Sequence, residues 1–504
     1  MKTNRKPDVI KRGKIMKRRD FMKMAGAGAA GMISIGSVPG RMAFGARDYY
    51  QLQKKPNVLY VFSDMQRAYS MGCYGDTNAR TPVLDKFAAQ GARFDTAMSN
   101  TPVSCPHRAC LMSGQYAHHH GMISNGVNFL PEVKCFAETF SAAGYTTAYV
   151  GKWHLQFPAE GSDTRRFGFP AVDKKFAHYK TEHTVKPCAD KTIEFINELC
   201  ASSKPWLCML SWLPPHAPYK ASPGYASHFN TLALPPNVPN GDPRDFALNS
   251  LPDYYGMIEE IDTEFGRILS ALETAGVADD TIVVFSSDHG DMIGSHGYMN
   301  KRWPYEESAR VPLLIRYPKA IKPNTVISDP IGTPDMYPTI AGLAGVASPV
   351  GLDGLDFSGL VTGKAYAPRD YVYLAMHYAY VPWPGWRAIR TGDYIYARVV
   401  DKPWLLFDMK NDPWQMINLI DDPSSKSLVE EMDKRLVSII KETGDSWTIK
   451  ATSGDISNWE PGGSKQKSAY LGVTWPGCGV TEREAKEKKG KKRKAGGAEN
   501  DMDF

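Results

Sequence analysis

The chain has 504 residues, 42% of them apolar and 11% aromatic, which suffices for a large core and excludes an intrinsically disordered protein. Its formal charge of +6 sits at the ends: residues 1–23 carry +8 and residues 482–504 carry +2, leaving −4 for everything between. A basic surface for nucleic acid is therefore excluded over the body of the chain.

The first element is a targeting segment. Residues 17–23 read Lys-Arg-Arg-Asp-Phe-Met-Lys and precede a small-residue, weakly apolar run to Ile35, the pattern of a twin-arginine signal. We assign residues 1–46 to it, with cleavage between Ala43 and Ala46, and expect a periplasmic or secreted protein. Its removal turns +6 into −3. No stretch reaches the roughly 18 apolar residues of a membrane helix, so no membrane span is expected.

Apolar runs at 57–63, 146–150, 206–212, 281–286 and 312–316 predict buried parallel strands. Helical patterns lie between them, most plainly at 254–272, where Ile258, Ile261, Phe265, Ile268 and Leu272 recur every three or four residues. The alternation predicts an α/β domain over residues 47–364 with a large, mostly parallel central sheet. Past a boundary near residue 365, short aromatic runs at 371–376, 386–391, 394–400 and 405–408 predict an antiparallel sheet, and 427–440 predicts one amphipathic helix. These form a smaller C-terminal α+β domain, residues 365–481. Residues 482–504 are Lys-rich and read as a solvated, disordered tail.

The eight cysteines (Cys73, Cys105, Cys110, Cys135, Cys188, Cys200, Cys208 and Cys478) contain no CxxC pair, so they build neither a zinc framework nor a disulfide scaffold. An oxidising compartment would permit a bridge or two, with no pairing that sequence can name.

Four of the strand candidates run directly into polar chemistry. Asp64 ends the first, Lys152 and His154 follow the second, His216 follows the third, and Asp288-His289 ends the fourth. Open α/β sheets gather their sites at the carboxyl ends of strands. Two carboxylates, several imidazoles and a lysine suit a hard cation, an anionic substrate and proton transfer.

The segment Ser104-Cys105-Pro106-His107-Arg108, with Leu111 and Gly114, resembles the signature of the type I sulfatases. That signature is Cys or Ser, any residue, Pro, any residue, Arg, then Leu and Gly at fixed offsets. Pro106, Arg108, Leu111 and Gly114 set the register, so Ser104 takes the first position and Cys105 a variable one. The resemblance runs from Lys55 to about Leu419 and implies an alkaline-phosphatase-like sandwich. It further implies that Ser104 is oxidised to formylglycine by a maturation enzyme of the anaerobic radical type. Hydrated to a gem-diol, that group attacks sulfur, and its second hydroxyl then expels sulfate, a step that a bare serine ester lacks. The alternative for Ser104 is a helix N-cap beside Pro106.

By the same resemblance, Asp64, Asp288, His289 and the modified Ser104 hold a divalent metal, calcium first and magnesium second. Met65 stands where the family carries a second ligand and is a soft thioether, so Gln66, a water or a backbone oxygen would complete the shell. Arg108 orients the formylglycine, Lys152 contacts it, His154 serves as base, and His216 and Lys301 bind the sulfate and assist the leaving oxygen. The implied substrate is a sulfated small molecule or glycan. Two rivals stand beside a sulfatase: a phosphonate monoester or phosphodiester hydrolase of the same superfamily, and a non-catalytic binder of sulfated glycans with Ser104 unmodified.

Other side chains carry blander expectations. His118, His119 and His120 read as a solvated or substrate-facing segment rather than a metal tract. His107 lines the pocket, and His296 is a loop hydrogen-bonder or a ligand. Trp383, Trp386 and Trp404 stack on a sugar or, more commonly for such aromatics, belong to the core.

Overall fold

The computed structural model describes residues 55–130, 132–155, 167–169, 171–172, 185–364, 366, 369–377 and 385–447. The segment 1–46 expected to be a signal, Trp383, Cys478 and the Lys-rich residues 482–504 lie outside them. The first nine strands are β1 (Asn57–Ser63), β2 (Ala92–Phe94), β3 (Ala97–Met98), β4 (Thr146–Gly151), β5 (Ala171–Val172), β6 (Trp206–Ser211), β7 (Thr281–Ser287), β8 (Leu313–Arg316) and β9 (Thr325–Ile327). Then come β10 (Ile331–Gly332), β11 (Tyr371–Met376), β12 (Trp386–Thr391), β13 (Tyr394–Val399) and β14 (Pro403–Asp408).

Eight strands make the central sheet, in the order β5-β4-β6-β1-β7-β8-β2-β9. β1 lies between β6 and β7, parallel to both, with Val58 opposite Leu207 and Ile282. Because successive residues of a strand face opposite sides, β1 divides its apolar residues between two layers. Val58, Tyr60 and Phe62 pack with Ala109 and Met112 of the helix Ser104–Ser113 and with Tyr337 and Ile340 of the helix Thr333–Leu343. Leu59 and Val61 pack with Phe87, Ile196, Phe265 and Ile268 from helices on the other side. The sheet is therefore covered on both faces, and its exposed chemistry is confined to its ends.

Two expectations need correction. The run at 312–316 forms β8, but β8 is antiparallel to β7. A parallel neighbour needs a long crossover, usually a helix. Between Ser287 and Leu313 the helical pieces are only Ser295–Gly297 and Glu306–Ala309, so the chain turns back instead. The helix expected at 254–272 spans Asp242–Thr274, 33 residues with Pro252 inside. Pro252 removes one backbone hydrogen bond, which hides the first turns from a periodicity reading. Ala247, Leu251 and Tyr254 nonetheless pack against Phe229 and Ile293, and that burial holds the helix across the proline.

The C-terminal sheet runs β11-β12-β13-β14, antiparallel throughout. The helix Lys426–Glu442 covers one face through Met432, Leu436 and Ile439. The other face packs against Val103, Tyr298, Trp303 and Tyr305, beside the site loops. Trp386 and Trp404 are buried in that second layer, so they are core residues and offer no ring to a sugar. The Trp386 indole N–H donates to the Arg302 carbonyl at 2.9 Å. Cys73, Cys105, Cys110, Cys135 and Cys208 are free thiols. Among the described residues no helix is long and apolar enough to cross a membrane.

Candidate active site

Ser104 is the first residue of the helix Ser104–Ser113 and is fully buried. The residue before it, Val103, is extended and makes no side-chain cap, while Asn125 Oδ1 accepts the Cys105 N–H at 3.1 Å. The Ser104 hydroxyl is thus not used for capping. It sits at a helix N-terminus, where backbone N–H groups and the helix dipole favour negative charge. The cysteine in the next position, Cys105, points into the core.

The strand ends converge on this hydroxyl. The His289 Nδ1–H donates to the Gly290 carbonyl at 2.9 Å, which leaves Nε2 to accept from Ser104 Oγ at 3.1 Å. Lys152 Nζ approaches Ser104 Oγ at 3.4 Å and also pairs with the Asp64 carboxylate. Arg108, one helical turn beyond Ser104, donates from Nη2 to Asp64 Oδ2 and Asp288 Oδ2 at 3.1 Å each. Its Nη1 donates to Ser211 Oγ at 2.6 Å and the Lys152 carbonyl at 2.9 Å, and its guanidinium lies 4.8 Å over the Phe62 ring. A single planar fork thereby ties four strand ends to the signature helix.

A second pair lies beside the first. Lys301 Nζ donates to His216 Nε2 at 3.1 Å and to Met65 Sδ at 3.6 Å, and the His216 Nδ1–H donates to the Ala217 carbonyl at 2.6 Å. Four non-glycine residues here have left-handed backbones: Met65 (φ 67), His154 (φ 56), Asn300 (φ 60) and Arg302 (φ 80). They flank Asp64 and Lys301 and include the expected base itself. Such strain, about 1–3 kcal/mol per residue, persists where the surroundings enforce it and clusters at functional sites.

Electrostatics follow from burial. Desolvation raises the Asp64 carboxyl, but Lys152, His216, Arg108 and His289 outweigh it and hold it well below the usual carboxylate range. Burial pushes His154 and His216 well below the ordinary imidazole value, aided by Lys152 and Arg108 for the first and Lys301 for the second. His289 drops to about 4 for the same leading reason. Burial brings Lys301 down to about 8, although Asp64 opposes it. At neutral pH the site therefore holds neutral imidazoles among fixed charges.

The residues present fit a divalent cation. One ligand atom each from Asp64, Asp288 and His289 lies within 4.8 Å of the others, and all three residues are buried. Asp64 Oδ1 is buried without a hydrogen-bond partner, which is costly unless a cation satisfies it. Met65 turns its sulfur to Lys301, and Gln66 Oε1 accepts from Ser63 Oγ at 2.8 Å, so neither side chain completes the shell.

Of the other histidines, His107 and His120 are placed differently from expectation, whereas His296 takes the first of its two expected roles, a loop hydrogen-bonder. His107 Nδ1 engages Ser99 Oγ at 2.8 Å and Thr333 Oγ1 at 3.2 Å, so it ties the signature helix to its neighbours rather than lining a pocket. His296 hydrogen-bonds Asn237 and stacks on Tyr305, with ring centroids 4.0 Å apart. Of His118, His119 and His120 only His119 is exposed, and His120 is buried against Cys110 at 3.4 Å. Sequence reasoning missed Ser211 and Tyr149, which hold Arg108 and the Lys152 carbonyl. Ser211 was detectable as a polar residue at a strand's carboxyl end.

Comparison with known proteins identifies the class. The sulfatase family pattern matches residues 56–346, and that of the C-terminal region of N-sulphoglucosamine sulphohydrolase matches residues 294–442. The chain belongs to the sulfatase family, as a type I sulfatase of the alkaline-phosphatase-like superfamily, and is a sulfuric ester hydrolase. An ulvan-active sulfatase of Formosa agariphila is 35% identical over 426 residues, covering 78% of this chain and 82% of that one. An N-acetylglucosamine-6-O-sulfatase of Bacteroides thetaiotaomicron is 27% identical, covering 77% and 86%. A structural-genomics sulfatase target from Bacteroides fragilis superposes with a TM-score of 0.70 at 28% identity, covering 79% and 98%.

Proposed function

We propose that the protein removes sulfate from a sulfated carbohydrate, using a formylglycine made from Ser104. The position of Ser104 Oγ carries this reading: buried at a helix N-terminus, 3.1 Å from His289 Nε2 and 3.4 Å from Lys152 Nζ. The relatives' names, one for ulvan and one for N-acetylglucosamine 6-O-sulfate, support a glycan substrate. Asp64, Asp288, His289 and the side chain at position 104 would hold the metal, calcium before magnesium, since hard carboxylate oxygens dominate the set. Bound there, a divalent cation would supply Lewis acidity and help keep the attacking oxygen ionised.

The chain's own residues then divide the work. Arg108 fixes the two carboxylates and the start of the signature helix in one frame. Lys152 places positive charge at the attacking oxygen. His154, neutral because it is buried, takes a proton from the second hydroxyl of the hydrated side chain. His216 and Lys301 face the sulfate, where the Lys301 ammonium supplies charge and gives a proton to the leaving oxygen, directly or through His216 Nε2.

Lys301 gives this reading a pH signature. It must be protonated, and its value of about 8 in the free enzyme puts a basic limb in kcat/KM near that pH. A bound sulfate anion favours the cation, so the limb in kcat lies at higher pH. Lys301→Arg removes the limb from both profiles, and a limb that stays in the variant belongs to another group.

Substrate class is read by comparing sulfated oligosaccharides with phosphonate monoesters and phosphodiesters on the matured enzyme. Sulfate release is expected to dominate by about 100-fold or more in kcat/KM, some 3 kcal/mol of transition-state preference. Dominant diester or phosphonate cleavage rejects the assignment.

A further inference from the structure

A second group of ligand-type side chains lies away from the active site. His118 belongs to the short helix Ala117–His120 that follows the signature helix, His377 follows β11, and Asp445 follows the helix Lys426–Glu442. Ten residues of signature helix, at about 1.5 Å each, put its far end about 15 Å from Ser104. One nitrogen of each histidine and one carboxylate oxygen lie within 4.8 Å of one another.

Each of the three is prepared as a ligand. The His118 Nε2–H donates to the Thr443 carbonyl at 3.0 Å, which fixes the tautomer and leaves Nδ1 as a lone pair with no hydrogen-bond partner. Metal-bound histidines are held in this way, one nitrogen on a carbonyl and the other on the ion. The His377 ring is 3% exposed, neither nitrogen has a hydrogen-bond partner, and Nε2 lies 3.6 Å from Asp445 Oδ1. Two unanswered ring nitrogens in a buried site are costly. Asp445 is oriented by Arg387, whose Nη2 donates to Oδ1 at 3.0 Å, while Arg387 Nε and the Tyr373 hydroxyl bond Oδ2. Oδ1 keeps a second lone pair.

We propose that His118, His377 and Asp445 form a second metal site for a divalent transition-metal ion of the zinc type. The ion clips the segment after the signature helix to the end of β11 and to the chain leaving the last helix. Two imidazoles and one carboxylate suit zinc, and three protein ligands leave a position for water. The active site offers two carboxylates and one imidazole, so calcium and zinc would sort between the two sites. Ionisation agrees with this geometry. Burial, with help from Arg387, lowers His377 to about 4, and burial lowers His118. Although burial raises Asp445, the neighbouring His377 and the hydrogen-bonded Arg387 outweigh it and keep the carboxyl ionised. Ligands must be deprotonated in this way to bind.

The test uses the full-length protein, freed of transition metals and kept in excess calcium, titrated with zinc chloride by calorimetry. Uptake of about one zinc per chain is expected, with affinity weakened about tenfold or more by His118→Gln and unchanged by Asp64→Asn. Sulfate release by the His118→Gln enzyme in calcium stays at the wild-type rate. Cobalt in place of zinc gives the wild-type protein visible d–d absorption of a nitrogen–oxygen site, which needs no variant. No zinc uptake, equal uptake by His118→Gln, loss of uptake in Asp64→Asn, or absence of the cobalt bands overturns the proposal.

Discussion

Ser104→Ala is expected to lose sulfate ester hydrolysis by about 10⁴-fold or more in kcat, the scale of removing a covalent nucleophile. Its melting temperature should barely move, because one neutral hydrogen bond to His289 is worth only about 1 kcal/mol. Cys105→Ala is the paired control. Cys105 sits one residue away and points into the core, so this variant keeps its activity. Mass spectrometry of the matured wild-type protein should show the Ser104 peptide short of two hydrogens. Full activity in Ser104→Ala, or activity lost with Cys105 instead, would move the nucleophile out of the assigned register.

Arg108→Met combines the largest expected losses of activity and stability. The guanidinium answers Asp64, Asp288, Ser211 and the Lys152 carbonyl from a position with no exposed surface. Its removal leaves two buried carboxylates with less compensation, a cost of about 3–5 kcal/mol in chelator. Hydrolysis should fall about 10³-fold as the electrostatic frame loosens. Excess calcium should recover part of the melting temperature, because a cation at Asp64 and Asp288 replaces some of the missing charge. Arg108→Lys keeps a charge but cannot fork to four acceptors, so it regains more stability than activity. Denaturant unfolding with and without calcium reads both effects. An Arg108→Met protein as stable as wild type in chelator would show that the carboxylates do not depend on the guanidinium.

The fold was legible where one physical signal dominated. β1 and β7 are apolar runs ending in charge and β6 is an apolar run ending in Ser211, the trace left by strands buried on both faces. The direction of β8 was not legible, since direction depends on the length of helix in the preceding connection, which single-run hydrophobicity does not report. The first turns of Asp242–Thr274 were lost because Pro252 interrupts a helix that tertiary burial restores. The candidate site was legible through fixed register: Pro106, Arg108, Leu111 and Gly114 place Ser104. Its partners at strand ends follow from topology. The pairing of His118 with His377 and Asp445 was not legible, because three distant segments meet only through the packing of the C-terminal sheet. Local composition reads the three successive histidines as one tract, whereas the helix Ala117–His120 sends His120 to Cys110 and both His118 and His119 to the Thr443 carbonyl.

Ser104 has no exposed surface, and the helix it starts is locked between the central sheet and the helix Thr333–Leu343. On the proposed maturation of Ser104, an oxidising enzyme would reach that side chain only before this layer closes. Maturation and folding would then be in a race on each newly made chain, with a permanent outcome. A chain that folded first would be well packed but inert, and later addition of the maturation enzyme would not rescue it short of global unfolding. The specific activity of a preparation would then measure how synthesis was timed, with faster expression giving the same folded yield and a smaller active fraction.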